Sequence, residues 1–232
     1  MNVCNNSNIF MKDKVLINLC HVKQKYTWDC GISCIMMVLD EATKNYFMDN
    51  FVTVCKEEGF EESTWTIDLA YLLCRFGIKH LYKTITIGVH PDLSSESFYR
   101  NVLNKDQQRV VNRFKFSANN NIMVEKGSVV IYEIISHLSK GGPVIVLVNA
   151  NLLICDLCHR NGYELKSCLS CTSSPPYQGH YIVLVGFNYS LGKIFYRNPG
   201  FKDRICSFGF SAFDKARKSF GTDEDIIFIF ND

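Results

Sequence analysis

The segment Gln24-Lys-Tyr-Thr-Trp28-Asp29-Cys30-Gly31 holds the residue types and spacing that best fit chemistry in this 232-residue chain. A thiol in the first turn of a helix feels the positive end of the backbone dipole and unpaired N–H groups, and both favour its thiolate. Gly31 lets the backbone come close to a substrate carbonyl. Gln24, six residues before Cys30, can offer a side-chain N–H to an oxyanion alongside the Cys30 backbone N–H. Losing one such donor costs about 3 kcal/mol of transition-state stabilisation. An isolated cysteine is more often a buried apolar thiol, which is the expectation for Cys34. The surrounding residues single out Cys30.

A nucleophilic thiol needs a base, and the base needs an orienting group. Of the six histidines, His180 is best placed, since it follows Gly179 and begins the apolar run Tyr181–Phe187, a strand that would hold its ring. The next strand ends at Arg197-Asn198-Pro199, where the Asn198 side-chain carbonyl could accept from the imidazole. Cysteine, a distant histidine, then an asparagine about one hairpin later is the chain order of papain-like enzymes. His21, His80, His90 and His137 read as surface or packing residues. Asp29 reads as the helix N-cap, because a carboxylate beside Cys30 would oppose its ionisation.

The elements that must position these groups change character along the chain. Val15–Val22 alternates as an entering strand. Helices are expected over roughly Cys30–Glu41, Tyr46–Cys55, Ile67–Phe76 (stopped by Gly77), Gln107–Phe116 and Val130–Ser139. The first is apolar on nearly every face, as a helix inside the core is. Val144–Asn149, Tyr181–Asn188, Lys193–Arg197 and Ile226–Phe230 are rich in Val, Ile and Phe and read as strands. The fold class that follows is α+β, with a helical first half, a central buried helix and an antiparallel sheet in the second half. Residues 1–14 are expected to form a flexible N-terminal segment and residues 15–232 a single domain. Asp223-Glu224-Asp225, just before the last strand, is expected to be a solvated turn.

The sheet is interrupted by a Cys-rich insertion over residues 155–176. Cys155-Asp-Leu-Cys158 and Cys168-Leu-Ser-Cys171 are two C-x2-C pairs nine residues apart. Four thiolates would close a tetrahedral, structural zinc site in a loop with little core of its own, and His159 could replace one of them. The alternative is a Cys-rich surface loop sensitive to oxidation.

Composition narrows the classes further. With 47% hydrophobic and 21% charged residues and a net charge of +2, the chain reads as a globular domain with no electrostatic preference for nucleic acid or membrane. Its apolar runs are too short to span a bilayer, and the first ten residues do not resemble a signal peptide. A reducing, cytoplasmic or nuclear setting is expected, so the eleven cysteines read as thiols and metal ligands rather than a disulfide framework.

The Gln-x5-Cys-Gly element, Trp65-Thr-Ile-Asp-Leu-Ala-Tyr-Leu-Leu and Gly179-His180 before an apolar strand resemble C39-like peptidases of the papain-like superfamily. Trp28-Asp-Cys-Gly, Ser97-Phe-Tyr-Arg, Ile145-Val-Leu-Val-Asn, Cys155-Asp-Leu-Cys, Tyr177-Gln-Gly-His, Ile194-Phe-Tyr-Arg-Asn-Pro and Gly221-Thr-Asp-Glu-Asp-Ile resemble the guanylyl cyclase domain containing protein family, from about Val15 onward. The first resemblance implies a papain-like fold with Cys30, His180 and Asn198 as a triad, on which many C39-like enzymes carry Asp at the position of Asn198. It also implies a protein or peptide substrate whose amide is hydrolysed or transferred. The second implies, by name, formation of cyclic GMP, although neither a cyclase-type carboxylate pair nor a Gly-x4-Gly-Lys-Ser/Thr phosphate loop is visible. A third possibility is a binding module that keeps the fold without the chemistry.

Overall fold

The computed structural model describes residues 12–60, 62–92, 97–100, 103–153, 155–156 and 177–231. Its centre is a mixed sheet running in the order β3-β2-β8-β4-β5-β6-β7. These strands are β2 (His80–Thr84), β3 (Val124–Lys126), β4 (Val144–Asn149), β5 (Gly179–Asn188), β6 (Lys193–Arg197), β7 (Cys206–Gly209) and β8 (Ile226–Ile229). The short β1 (Lys14–Leu16) pairs antiparallel with the far end of β5, opposite Gly186–Asn188. It passes so close to Gly186 that a Cβ there would collide with the Val15 carbonyl. All pairings are antiparallel except β2 with β3. The sheet therefore draws β1 and β2 from the first half of the chain and includes the parallel β2–β3 pair, which corrects the expectation of an antiparallel sheet in the second half.

Period-2 alternation of β4, β5 and β8 sorts their side chains onto two faces. Ile145, Leu147, Tyr181, Val183, Ile227 and Ile229 face one core cluster. Val144, Val146, Ile182, Leu184, Ile226 and Phe228 face the other. On the first face lies α1 (Cys30–Val38), eight of whose nine residues are buried, so the central buried helix is present as expected. It packs on α4 (Thr66–Arg75), with α2 (Glu41–Asp49) and α3 (Phe51–Glu57) behind. The expected single helix over Tyr46–Cys55 is two, because Asn50 breaks it. The Asn50 side-chain amide donates to the Tyr46 carbonyl at 2.9 Å, ending α2 before α3 begins. The second face is covered by α7 (Ile131–Ser139) and by α8 (Phe210–Arg217), reached after the short α5 (Ser97–Arg100) and α6 (Leu103–Phe116).

The outer helix α6 is held to α4 by charge rather than by apolar contact alone. Arg109 and Arg113 reach across to the fully buried carboxylate of Asp68 at 3.0 and 2.9 Å. Asp68 also accepts from the Trp65 backbone N–H at 2.9 Å, closing the first turn of α4. Among the described residues no helix is long and apolar enough to cross a membrane. Of the four expected zinc ligands, Cys155 is buried against the second core cluster, whereas Cys158, Cys168 and Cys171 lie outside the described residues.

Candidate active site

Gly31 explains how α1 reaches the sheet. A Cβ at this position would stand 2.8 Å from Leu69 Cδ1 and 3.0 Å from the Tyr181 ring. The glycine therefore serves the packing of α1 on β5, where the sequence pointed to substrate access. This close approach sets the Cys30 sulfur against the backbone N–H of Tyr181, the residue that follows His180. Asp29 does precede the helix, but its carboxylate turns back to accept from the Lys25 and Tyr26 N–H groups, both at 3.0 Å, and makes no helix-capping bond. It thus staples the loop that carries Gln24.

His180 starts β5 and Asn198 follows β6, its hairpin partner. His180 Nε2 lies 2.8 Å from Asn198 Oδ1. The Gly200 N–H donates to the same oxygen at 2.9 Å, which identifies that atom as the carbonyl and makes His180 Nε2 the donor. Nδ1 is left as the basic nitrogen of the ring. Asn198 is buried, and the His21 ring binds its backbone carbonyl at 3.0 Å. His21, expected only to pack, therefore braces the group that orients His180. Gln24 reaches the same corner through its backbone N–H on the Pro199 carbonyl at 3.0 Å. Its side-chain Nε2 donates to the Tyr26 carbonyl at 2.8 Å, and its buried Oε1 has no partner.

Gln24, His180 and Asn198 thus share one corner of the fold, while Cys30 is held against the backbone of Tyr181, the residue after His180; among the described residues no hydrogen bond joins Cys30 to His180. Catalytic hydrogen bonds are commonly long before a substrate is bound. The electrostatics differ from the sequence expectation of a thiolate. Burial pushes the Cys30 thiol up to about 11, against the pull of the Tyr181 and Gly31 N–H groups, and the Asp29 carboxylate adds to the rise. Burial also lowers His180, only partly opposed by its bond to Asn198. Burial thus holds both groups toward their neutral forms, since desolvation outweighs the helix dipole here. Cys34, one turn further into the helix, is fully enclosed and is pushed well above its ordinary value by burial.

Cys30 lines a cavity of about 290 Å³ whose walls include Trp65, Thr66, Phe98, Tyr181 and Asp225. Gln24 lies in a neighbouring hollow with Tyr26 and Trp28. The acidic turn expected to be solvated is part of the cavity wall. Asp225 is buried and accepts from the Tyr82 hydroxyl at 2.8 Å, while Asp223 accepts from Thr86 Oγ1 at 2.9 Å. Asp223 and Glu224 both take left-handed backbone conformations, φ 48° and 52°. Such conformations cost about 1–2 kcal/mol per residue. The bonds from Leu147 N–H to the Asp225 carbonyl and from Ile85 N–H to the Asp223 carbonyl hold the turn in place. Burial raises Asp225 to about 7, opposed by hydroxyl donors from Thr66, Thr84 and Tyr82 and reinforced by the Asp223 charge.

The sequence profile of the guanylylate cyclase family matches residues 19–229. The chain belongs to the guanylylate cyclase family. A relative from Arabidopsis thaliana described as Guanylyl cyclase 1 is 35% identical over 216 residues, covering 90% of this chain and 74% of its own. A crystal structure described as a C39-like peptidase from Bacillus anthracis matches with a TM-score of 0.30 and 19% identity, over 44% of this chain and 48% of that one. Within this guanylylate cyclase family chain, His21, Tyr181 and Asp225 were missed as site residues from the sequence. Asp225 carried a faint signal, an acid placed directly before an apolar strand; His21 and Tyr181 carried none.

Proposed function

We propose that this guanylylate cyclase family chain is a papain-like, C39-like thiol hydrolase or acyl transferase acting on a peptide or isopeptide-type amide. In this reading the Cys30 sulfur attacks the carbonyl carbon as His180 Nδ1 takes the thiol proton. Asn198 holds the ring in that tautomer, and Gln24 with the Cys30 backbone N–H receives the developing oxyanion. The imidazolium then returns the proton to the leaving amine, and water or another amine resolves the thioester. The observation that carries the reading is the 2.8 Å bond from His180 to Asn198 Oδ1, whose amide orientation is set by Gly200. It leaves Nδ1 as the basic nitrogen of the ring, which supports its reading as the base for a thiol that burial keeps protonated.

Time-resolved alkylation by iodoacetamide, read by mass spectrometry, tests this reading. Cys30 should react at least tenfold faster than Cys34 near pH 7, and His180→Ala should remove the difference. Equal rates, or a Cys30 rate untouched in His180→Ala, sink the enzyme reading.

A nucleotide cyclase is the second reading, favoured by the description of the Arabidopsis relative and by the Asp223 and Asp225 carboxylates in the cavity wall. It requires cyclic GMP to form from GTP with Mg²⁺ or Mn²⁺ in Cys30→Ala and to be lost in Asp225→Asn. The C-x2-C pairs of Cys155, Cys158, Cys168 and Cys171 supply a donor set that suits structural zinc. About one zinc per chain by elemental analysis, lost in Cys168→Ser, would support that assignment.

A further inference from the structure

Four aspartates are buried among the described residues, namely Asp29, Asp68, Asp106 and Asp225, and three of them have an evident means of holding their charge. Asp68 meets Arg109 and Arg113, and Asp106 meets Arg109 at 3.0 Å. Asp29 accepts two backbone N–H bonds. Among the described residues Asp225 accepts from the Tyr82 hydroxyl and is otherwise reached by the Thr66 and Thr84 hydroxyls. Among the described residues no Lys, Arg or His pairs with it. Hydroxyls satisfy a carboxylate's lone pairs but cannot neutralise it, so a buried charge lacking a counter-ion is an energetic vacancy.

The cavity around Asp225 is complementary to what is missing. Among the described residues its charged lining side chains are Glu62, Asp223 and Asp225, all acidic. Its walls include the rings of Trp65, Phe98, Tyr99 and Tyr181. Trp65 and Tyr99 pack at 5.2 Å between centroids, forming a continuous aromatic surface. Aromatic faces beside a desolvated carboxylate suit the aliphatic stem and cationic head of a basic side chain. The same cavity opens onto Cys30.

We infer that Asp225 is a specificity-determining group of the Cys30 cleft, receiving the guanidinium or ammonium of a basic residue in the substrate while its stem lies along Trp65 and Tyr99. This deepens the proposed thiol chemistry and rests on it for the meaning of "substrate", but the binding itself is independent of catalysis.

The groups facing Asp225 determine how the binding responds to pH. Asp223 lies on its own turn, Thr66 on α4, Tyr82 and Thr84 on β2, and Tyr181 on β5. Cys30 on α1, Tyr99 on α5 and Tyr177 line or border the same space. The thiol and the Tyr82, Tyr177 and Tyr181 hydroxyls are all raised by burial and stay neutral below pH 8. Of these groups the Asp225 carboxyl is the one raised to about 7, and His90 acts on the neighbouring Asp223 carboxyl.

Equilibrium binding of butylguanidinium and of its neutral isostere butylurea to the full chain, by calorimetry or NMR titration, tests the inference. At pH 8 the cation should bind at least tenfold tighter than the urea. Its affinity should fall more than tenfold by pH 5.5 while that of the urea stays flat. Asp225→Asn, which retains an acceptor for Tyr82, should erase the preference. Equal affinities, a pH-independent preference, no binding of the cation, or a preference that survives in Asp225→Asn would each overturn it. Should Asp225→Asn fail to fold, the wild-type pH series still settles the matter. Iodoacetamide labelling of Cys30 in the same samples separates the two claims. A reactive Cys30 without cation preference removes only the specificity assignment, and cation preference with an inert Cys30 removes only the enzyme.

Discussion

Asp68 and Asp225 are both buried carboxylates on the α1 side of the sheet, and the fold treats them in opposite ways. Asp68 lies where α4 meets α6, with two guanidinium groups and a backbone N–H directed at it. Asp225 lies at the wall of the Cys30 cavity, where among the described residues hydroxyls and no Lys, Arg or His reach it. The first arrangement stabilises the native state when both partners are present and fails badly when one is removed. The second leaves a group whose ionisation the fold opposes, and such groups collect at sites that bind or react. Burial alone says little about a carboxylate's role; the charge of its neighbours separates the structural case from the functional one.

The largest effect that would sharpen this contrast is expected from Asp68→Ala. It removes the shared partner of Arg109 and Arg113, leaving them Asp106 and Glu58, and breaking a buried pair costs about 3–5 kcal/mol. The unfolding free energy from urea titration should fall by that amount, and a loss below about 1 kcal/mol would mean the corner is solvated.

Asp225→Asn should act in the other direction. The folded carboxyl titrates at about 7, above the ordinary value of about 4. A raised value means that the stability it contributes is fully present below about pH 4 and is lost as pH rises through about 7. Wild type should therefore lose on the order of 2 kcal/mol or more on this group's account between those limits. At pH 8 Asp225→Asn should be the more stable protein, and the advantage should vanish at pH 4. Melting curves across that range decide it; an Asp225→Asn chain less stable at pH 8 would place Asp225 with Asp68.

Tyr82→Phe removes the 2.8 Å donor to Asp225 and leaves one acceptor less well satisfied, for a loss of about 1–2 kcal/mol. The same change should move the Asp225 titration upward, seen as a shift in the pH profile of butylguanidinium binding. The smallest effect is expected at Arg75, which bridges Glu57 and Glu58 from a partly exposed position. Arg75→Ala should cost no more than about 0.5–1 kcal/mol, and less in high salt.

Much of this architecture was legible along the chain. β4 (Val144–Asn149) and β6 (Lys193–Arg197) fall at the expected residues, α4, α7 and β5 within one or two, and α1 begins at the expected Cys30 but ends three residues early at Val38. Each carries a period that a single face of the core imposes. β2 was missed because the residues it buries, His80, Tyr82 and Thr84, are polar or amphipathic, so its alternation is not one of hydrophobicity. α8 was missed for a related reason. Its Arg217 is fully buried, donating to the Val129 carbonyl at 2.6 Å and pairing with Asp214 at 2.7 Å, and no sequence pattern marks an arginine as core. At the candidate site, the residue types and order of Gln24, Cys30, His180 and Asn198 were readable, as was the helix that begins at Cys30.

Residue identity and local periodicity determined where helices and strands begin, which residue types could react, and to which family the chain belongs, because these depend on neighbours within a few positions. The meeting of His180 with Asn198, the elevation of the Cys30 thiol, and the burial of Asp225 in the wall of the Cys30 cavity were decided by tertiary structure alone. Each depends on how much water and which charges remain around a group after residues far apart in the chain have packed together, and that environment has no representation in the order of residues nearby.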